Sequence, residues 1–325
     1  MVYRLRIKLE VNVDIKELVY ELTKSVRNKV FPHLGKPSSR RTVDIAVGGD
    51  ATFAIDEVAE EDVMEFLKKE GNIAYYSEDK GLVVYGKPKY VLIVDPIDGT
   101  RPAAAGFESA CVSIAAAEYV SEPKIKDVFL GCVQEIKSGK IFLAEKGTGL
   151  EIEEDNREVD PILSSNTGLN SLFWSIGFRG RPAKELITVL GDLVDISSVD
   201  GGVFDIGSAS YSMTRLVTGQ LDAYIDIGKR MIDEAPEVKA IFERVGRGYV
   251  LNNNPYDIAA SVLIVSEAGG IVTDGYGKPI DDYPVLGSGL KFQISCVAAG
   301  NMELHKKVIR EIDAGIEKLK LLPKL

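Results

Sequence analysis

Two aspartates stand three residues apart just after an apolar run, in the segment KYVLIVDPIDGT at residues 89–100. Asp95 ends the predicted strand, Pro96 fixes the backbone, and Gly99 permits a sharp bend directly after Asp98. Because α/β proteins bind ligands at the carboxyl ends of their strands, both carboxylates could converge on one point. The alternative is a plain type I turn, which favours Asp at its first position and Pro at its second.

Two further acids lie far away in the sequence but at comparable places in predicted elements. Glu78 closes the predicted strand of NIAYYSED, so it can meet the acid that ends a neighbouring strand. Asp257 lies in the first turn of a predicted helix, PYDIAASVLIVSEAGG, which is apolar nearly all round. The alternatives are a solvated loop charge for Glu78 and a favourable helix-dipole position for Asp257. A helix buried on all sides, however, leaves the Asp257 carboxylate partly desolvated and in need of a cation.

The rest of the composition indicates that any catalytic chemistry depends on carboxylates. The chain has only two histidines, His33 and His305, so histidine triads and multi-histidine metal sites fit poorly. Its three cysteines, Cys111, Cys132 and Cys296, are widely spaced. We therefore expect buried free thiols rather than a disulfide framework.

Charge and length narrow the class of protein further. The 325 residues carry a net charge of −10, which disfavours binding to nucleic acid or to an anionic membrane surface. Neither a signal-peptide core nor an apolar run long enough to span a membrane occurs, so we expect a soluble, cytoplasmic protein. The length fits two packed lobes or one large α/β unit.

The predicted elements divide the chain into two halves. Residues 3–13 alternate between apolar and polar side chains, as a half-buried strand does, and Asp14 then begins a helix. A second helix is predicted from about Asp56 to Lys69, and strands follow, including a hairpin at Ser138-Gly139. The charged segment 151–161 ends in proline and marks the predicted lobe boundary, giving lobes at 1–160 and 161–325. The second half alternates strands and helices, which indicates an α/β lobe.

Taken together, five motifs resemble one family, the inositol monophosphatase-like, lithium-sensitive, magnesium-dependent sugar phosphatases. The motifs are GDATFAIDEVAEE, YYSED, VDPIDGT, GSASYSMTRLVTGQLDAY and PYDIAASVLIVSEAGGIVTD, in the family's order, and the resemblance spans about residues 14–310. The family includes inositol monophosphatase and fructose-1,6-bisphosphatase. It implies an α/β (α+β) fold, a layered αβαβα sandwich with a mostly antiparallel sheet in the first lobe and a smaller sheet in the second. It also implies a homodimer.

The resemblance assigns roles to individual residues. Two or three Mg²⁺ ions are implied, with Glu78, Asp95, Asp98, Asp257 and the backbone carbonyl of Ile97 as ligands. Asp56 and Thr100 would orient and deprotonate the water that attacks phosphorus. The phosphate would lie on the N–H groups of Gly99 and Thr100, and the sugar or alcohol would contact Arg179, Gly207, Ser208 and Ala209. The alternative for Arg179 and for Arg181 is a plain loop charge. The first lobe thus carries most metal ligands, and the second contributes Asp257 and the substrate contacts.

Two segments depart from the family pattern. The sequence RPAAAGFES follows VDPIDGT, and its Arg101 either contacts phosphate or is a surface charge, of which the surface charge is favoured. An extra charged segment occupies residues 228–251. It either covers the leaving-group pocket, with Lys229 or Arg230 touching a second phosphate, or is a plain surface insertion.

These observations favour an enzyme. The expected activity is magnesium-dependent hydrolysis of a small sugar or polyol phosphate, such as inositol monophosphate or fructose 1,6-bisphosphate. A 3′-phosphonucleotide phosphatase is the alternative substrate class. A non-catalytic regulatory protein that binds metal or phosphate is disfavoured, because six polar side chains of the implied site are intact.

Overall fold

The computed structural model describes residues 14–47 and 49–321. The strand predicted for residues 3–13 lies outside the described residues. The helices are α1 (Ile15–Val30), α2 (Ala54–Glu70), α3 (Thr100–Ala105), α4 (Ala183–Ile196), α5 (Ala209–Val217), α6 (Gly228–Glu234), α7 (Lys239–Val245), α8 (Pro255–Glu267) and α9 (Met302–Lys320). Short 3-10 helices occupy Phe31–His33, Pro37–Arg40, Ile125–Asp127 and Pro236–Val238.

Three sheets contain the strands of the described residues. The strands are β1 (Thr42–Ile45), β2 (Ala51–Phe53), β3 (Ala74–Ser77), β4 (Gly81–Val84), β5 (Tyr90–Asp98), β6 (Cys111–Glu118), β7 (Val128–Glu135), β8 (Ile141–Glu145), β9 (Gly149–Glu154), β10 (Arg157–Val159), β11 (Phe173–Ile176), β12 (Gly202–Phe204), β13 (Ala223–Asp226), β14 (Ile271–Asp274) and β15 (Cys296–Ala299).

The large sheet has eight strands in the order β10-β9-β8-β7-β6-β5-β3-β4, and every neighbouring pair is antiparallel except β3 and β5. The small sheet has five strands in the order β12-β11-β13-β15-β14, of which β11 runs parallel to both of its neighbours. A two-stranded ribbon of β1 and β2 stands apart. The predicted mostly antiparallel first sheet and smaller second sheet are therefore confirmed.

These elements stack in five layers. Helices α1 and α2 pack on one face of the large sheet, α5 and α8 lie between the two sheets, and α4 and α9 cover the far face of the small sheet. The order is the predicted αβαβα sandwich. Helix α8 is apolar nearly all round because it is buried between two sheets, with every residue from Ile258 to Val265 buried.

Local predictions also hold in detail. Asp14 caps α1, its side chain accepting hydrogen bonds from the N–H groups of Lys16 and Glu17. Strands β7 and β8 form the predicted hairpin. All three cysteines are buried free thiols. Strands of the large sheet lie within residues 74–159 and those of the small sheet within 173–299, while the division into lobes at residue 160 stays a prediction.

Within the part of the chain that the structure describes, every helix is too short or too polar to cross a bilayer.

Candidate active site

Three carboxylates meet at the end of β5. One oxygen from each of Asp95, Asp98 and Asp257 lies within 4.8 Å of the others. The pairing of β5 with β6 shifts between Asp95 and Asp98, so the strand bulges there and turns both acids toward the same point. The Asp95 carboxylate also accepts a hydrogen bond from the Ile97 N–H at 3.1 Å. Strand β5 continues through Asp98, so a bulge rather than the type I turn presents the acids.

Backbone donors hold two of these acids in place. The Asp98 carboxylate accepts hydrogen bonds from the N–H groups of Ala209 and Ser210, at 3.3 and 2.5 Å, where α5 begins. Asp257 belongs to the first turn of α8 and accepts from the Asn254 N–H at 2.5 Å, in a capping box. Unpaired N–H groups at a helix start favour negative charge, so both helices orient the carboxylates that they meet.

Glu78 follows β3, the strand that runs parallel beside β5, so both strands end at the same edge. It lines a cavity of about 450 Å³ together with Asp95, Asp98 and Asp257. Ile97 lines the same space, and its carbonyl accepts a hydrogen bond from the Thr100 hydroxyl at 3.2 Å. The predicted metal ligands are therefore all on the wall of one cavity, although Glu78 stands outside the tight group of three.

The acids are desolvated and close to one another. Burial, followed by the charges of neighbouring carboxylates, raises the pKa of Asp95 and of Glu78 well above their usual values. The same causes raise the pKa of Asp257 to about 8. Burial raises that of Asp98 to only about 6, because hydrogen bonds from Ser210, Ser208 and Ala209 stabilise the charged form. Such an all-oxygen set suits a hard divalent cation, which would remove the mutual repulsion.

Asp56 and Thr100 lie beside this centre. Asp56 is in the first turn of α2 and accepts a hydrogen bond from the Phe53 N–H at 2.8 Å. Burial raises its pKa to about 7, although the Phe53 N–H and the Thr100 hydroxyl oppose the shift. A water-sized cavity of about 10 Å³ lies between Asp56, Thr100 and two metal-ligand candidates, Glu78 and Asp95.

Two acids that the sequence analysis missed also line this small cavity. Glu60 lies one turn after Asp56 on α2, and neither of its buried carboxylate oxygens has a hydrogen-bond partner. Burial raises its pKa to about 7. Asp79 accepts a hydrogen bond from the Thr52 hydroxyl at 2.6 Å. The helical spacing of Glu60 from Asp56 was a usable signal, since residues four apart share one helix face.

The backbone conformation at position 99 requires glycine. Its φ is +93°, and a Cβ atom there would lie 2.6 Å from the Ser109 carbonyl oxygen and 3.0 Å from the Ser208 Cβ. This close approach lets Gly99 and Thr100 line the 450 Å³ cavity at the start of α3.

The predicted alcohol contacts fall on a neighbouring cavity of about 50 Å³. Arg179, Gly207, Ser208 and Ala209 all line it, as do Asp98 and Asp257. Ser208 caps α5, its hydroxyl accepting a hydrogen bond from the Tyr211 N–H at 3.1 Å. Arg181, for which a loop charge was the alternative, is buried, also lines this cavity and pairs with Asp226.

Arg101 is an exposed charge at the edge of the cavity, and its role stays a prediction. Its guanidinium lines the 450 Å³ cavity and donates to Asp50 at 3.1 Å. Arg179 forms an ion pair with the same carboxylate. Asp50 was not singled out from the sequence, because its partners come from distant parts of the chain.

The insertion at 228–251 lines neither of the two cavities, although Tyr249 packs against Gly49 next to Asp50. The Arg230 guanidinium is buried against the Gly275 carbonyl, at 2.7 Å, and Asp313, at 2.6 Å. Lys229 pairs with Asp233 one turn away on α6. The segment forms α6, a 3-10 turn and α7, and it buries apolar side chains in the core around α4 and α9. Of the two alternatives, the structure favours an insertion without a role in the cavity.

Comparison with known proteins agrees with this geometry. A relative from Methanothermobacter thermautotrophicus named fructose-1,6-bisphosphatase/inositol-1-monophosphatase is 27% identical over 307 residues, covering 92% of this chain and 96% of its own. A bifunctional NADP phosphatase/NAD kinase from Methanococcus maripaludis is 28% identical over 309 residues, covering 91% of this chain. This chain spans 49% of that bifunctional relative's length.

Solved structures share the fold. The Thermotoga maritima IMPase superposes with a TM-score of 0.65 at 21% identity, and the match covers 94% of this chain and all of that one. A sequence model of the inositol monophosphatase family matches residues 14–317. With that match over nearly the whole chain, the protein belongs to the inositol monophosphatase family.

Proposed function

We propose that this protein is a magnesium-dependent phosphomonoesterase that acts on a small sugar or polyol phosphate. The observation that carries the proposal is the convergence of Glu78, Asp95, Asp98 and Asp257 on one cavity. Membership of a family of phosphatases supports hydrolysis of a phosphoric monoester, and the relative named fructose-1,6-bisphosphatase/inositol-1-monophosphatase supports this substrate class.

The four carboxylates and the Ile97 carbonyl would hold two or three Mg²⁺ ions. When bound, divalent cations lower the pKa of water and offset the charge of a phosphate ester. Asp98 and Asp257 are held rigidly by backbone N–H groups, so the ligand set is largely preorganised.

Asp56 and Thr100 would carry out the proton transfer. Both face the small cavity next to Glu78 and Asp95, where a single water fits. An Asp56 pKa raised to about 7 suits a general base that works near neutral pH. The phosphate would accept hydrogen bonds from the N–H groups of Gly99 and Thr100, which line the adjoining larger cavity.

The test is phosphate release from a panel of compounds with Mg²⁺ and with EDTA. The panel contains inositol 1-phosphate, fructose 1,6-bisphosphate, NADP and adenosine 3′,5′-bisphosphate. We expect release from a sugar or inositol phosphate in Mg²⁺ and none in EDTA. If no compound is hydrolysed at several Mg²⁺ concentrations, the proposal is wrong, and a non-catalytic regulatory protein is favoured instead.

A nucleotide substrate is the second candidate, favoured by one observation. Phe107 is 64% exposed and borders the cavity together with Ile206 and Pro102, which gives a purine base an apolar wall. A relative is named for NADP phosphatase activity. Preferential release from NADP or from the 3′-phosphonucleotide would favour this candidate over the sugar phosphates.

A homodimer in the cytoplasm completes the proposal. The homodimer rests on the family resemblance, and light scattering on the purified protein measures the oligomeric state directly.

A further inference from the structure

Two arginines share one carboxylate at the edge of the catalytic cavity. The Arg101 guanidinium donates to both Asp50 oxygens, at 3.1 and 3.5 Å, and Arg179 pairs with the same group. Burial alone would raise the pKa of Asp50, but the positive charges of Arg179 and Arg101 outweigh it and hold that pKa below its usual value. Two guanidinium groups thus share one carboxylate, and the carboxylates of Glu78 and Asp257 also attract Arg179.

The arginines and the acidic centre lie at different depths. Asp95 and Asp98 are 3% and 6% exposed, and we call this part of the cavity its floor. The Arg101 and Arg179 side chains are 41% and 40% exposed, and we call their position the mouth. All four residues line the same space of about 450 Å³, a size typical of pockets for small molecules.

This separation assigns the two regions to different parts of a substrate. The ester that is hydrolysed must reach the carboxylates at the floor. The far end of the same molecule then lies near the mouth, where guanidinium groups offer paired N–H donors that match phosphate oxygens.

We propose that Arg101 and Arg179, positioned by Asp50, bind a second phosphoryl group, so that the preferred substrates are bisphosphorylated. The inference rests on the proposed phosphatase activity and narrows its substrate class. Asp50 is a positioning residue, because it fixes both guanidinium groups on the cavity wall before substrate arrives. An entering phosphoryl group, which carries more charge than one carboxylate, competes with Asp50 for their N–H groups.

The experiment compares matched substrates that differ by one phosphate. The pairs are fructose 1,6-bisphosphate with fructose 1-phosphate, and adenosine 2′,5′-bisphosphate with adenosine 2′-monophosphate, each assayed for phosphate release in Mg²⁺. In at least one pair, the unaltered protein should favour the bisphosphate in kcat/KM by roughly 10- to 100-fold, as expected for hydrogen bonds to charged groups.

Variants identify the residues responsible. Arg179→Met and Arg101→Met should each lower kcat/KM for the favoured bisphosphate, mainly through KM, by at least about five-fold more than for its monophosphate partner. Arg179→Lys should restore part of the preference, because it keeps the charge but loses the planar fork. Lys137→Met removes an exposed positive charge that pairs with Glu108 outside the cavity, and it should leave the preference unchanged.

The outcomes separate the inference from the function on which it rests. Equal turnover of both members in both pairs, or equal losses for both members in the arginine variants, would overturn the inference while leaving the phosphatase intact. No phosphate release from any of the four compounds would overturn the proposed function itself, and the inference with it. Fluorescence of Trp174, the single tryptophan and fully buried, checks that each variant is folded.

Discussion

Replacing Glu60 by Gln should stabilise the metal-free protein, and the gain should grow with pH. Glu60 is 2% exposed, and both of its carboxylate oxygens lack a hydrogen-bond partner. Burial raises its pKa from 4.5 to about 7, and the nearby Ser77 hydroxyl offsets only part of that shift. An uncharged amide of nearly the same shape avoids the cost of a buried, unpaired charge.

The magnitude follows from the two pKa values. An acid whose pKa is higher in the folded protein than in the unfolded chain costs stability as the pH rises through the interval between them. Below 4.5 this cost is small, and above about 7 it is complete. The full cost is about 3 kcal/mol, of which about 2.5 kcal/mol accrues between pH 5 and pH 8. The advantage of Glu60→Gln over the unaltered protein should increase by that amount.

Urea unfolding in EDTA, followed by the fluorescence of Trp174, measures this difference at both pH values. Glu61→Gln, an exposed neighbour on the same helix, is the control that removes one negative charge without altering the cavity. It should change the free energy of unfolding by less than about 0.5 kcal/mol at either pH. If the stability difference between Glu60→Gln and the unaltered protein stays constant from pH 5 to pH 8, the reasoning about this carboxylate is wrong.

Three other substitutions test separate parts of the structure. Asp56→Asn keeps an oxygen for the Phe53 N–H but cannot accept a proton, so kcat should fall by roughly 10²- to 10⁴-fold while thermal unfolding changes little. Activity within ten-fold of the unaltered protein would contradict the role of Asp56 as the general base. Gly99→Ala should lower both the melting temperature and the activity, because its Cβ would lie 2.6 Å from the Ser109 carbonyl oxygen. Gly71→Ala is the control: it is also at positive φ but has open space around its Cβ, so it should leave the activity unchanged. Gly315→Ala should destabilise the protein by about 1–3 kcal/mol in urea unfolding, since its Cβ would meet the Val189 carbonyl oxygen of α4; a variant as stable as the unaltered protein would show that α9 can shift away.

The cluster of carboxylates could be predicted from the sequence where local rules determine it. An apolar strand with Pro96 and Gly99 near its end predicts that Asp95 and Asp98 converge, and a bulge in β5 brings them together. The apolar composition of helix α8 predicted that the helix is buried. It therefore also predicted that Asp257, in the first turn of that helix, is desolvated. Each of these inferences depends only on neighbours along the chain.

The contacts that escaped prediction are tertiary contacts. Asp50, Arg101 and Arg179 come from three separate segments, and no local pattern indicates that one carboxylate joins two guanidinium groups. Arg230 shows the same limit: the sequence left a phosphate contact open, but its partners, Gly275 and Asp313, lie 45 and 83 residues away. Charged side chains have long reach, so sequence position alone does not fix their partners.

Asp257 is the best residue with which to test the metal centre. Both oxygens of Asp98 accept backbone N–H groups, so Asp98→Asn would place an amide NH₂ against a donor and disturb α5. The Asp257 carboxylate uses only one oxygen to cap α8, and Asp257→Asn can keep that hydrogen bond. Asp282→Asn, at an exposed surface ion pair, is a matched control for the loss of one negative charge.

The most direct test is calorimetric Mg²⁺ binding by Asp257→Asn, measured together with magnesium-dependent phosphate release. The account predicts a folded variant with Mg²⁺ affinity lowered by at least about ten-fold, the loss expected of a charged ligand, and with phosphate release abolished. Asp282→Asn should match the unaltered protein in both measurements. A folded Asp257→Asn variant that binds Mg²⁺ and releases phosphate like the unaltered protein would contradict the central claim that these carboxylates form the catalytic metal site.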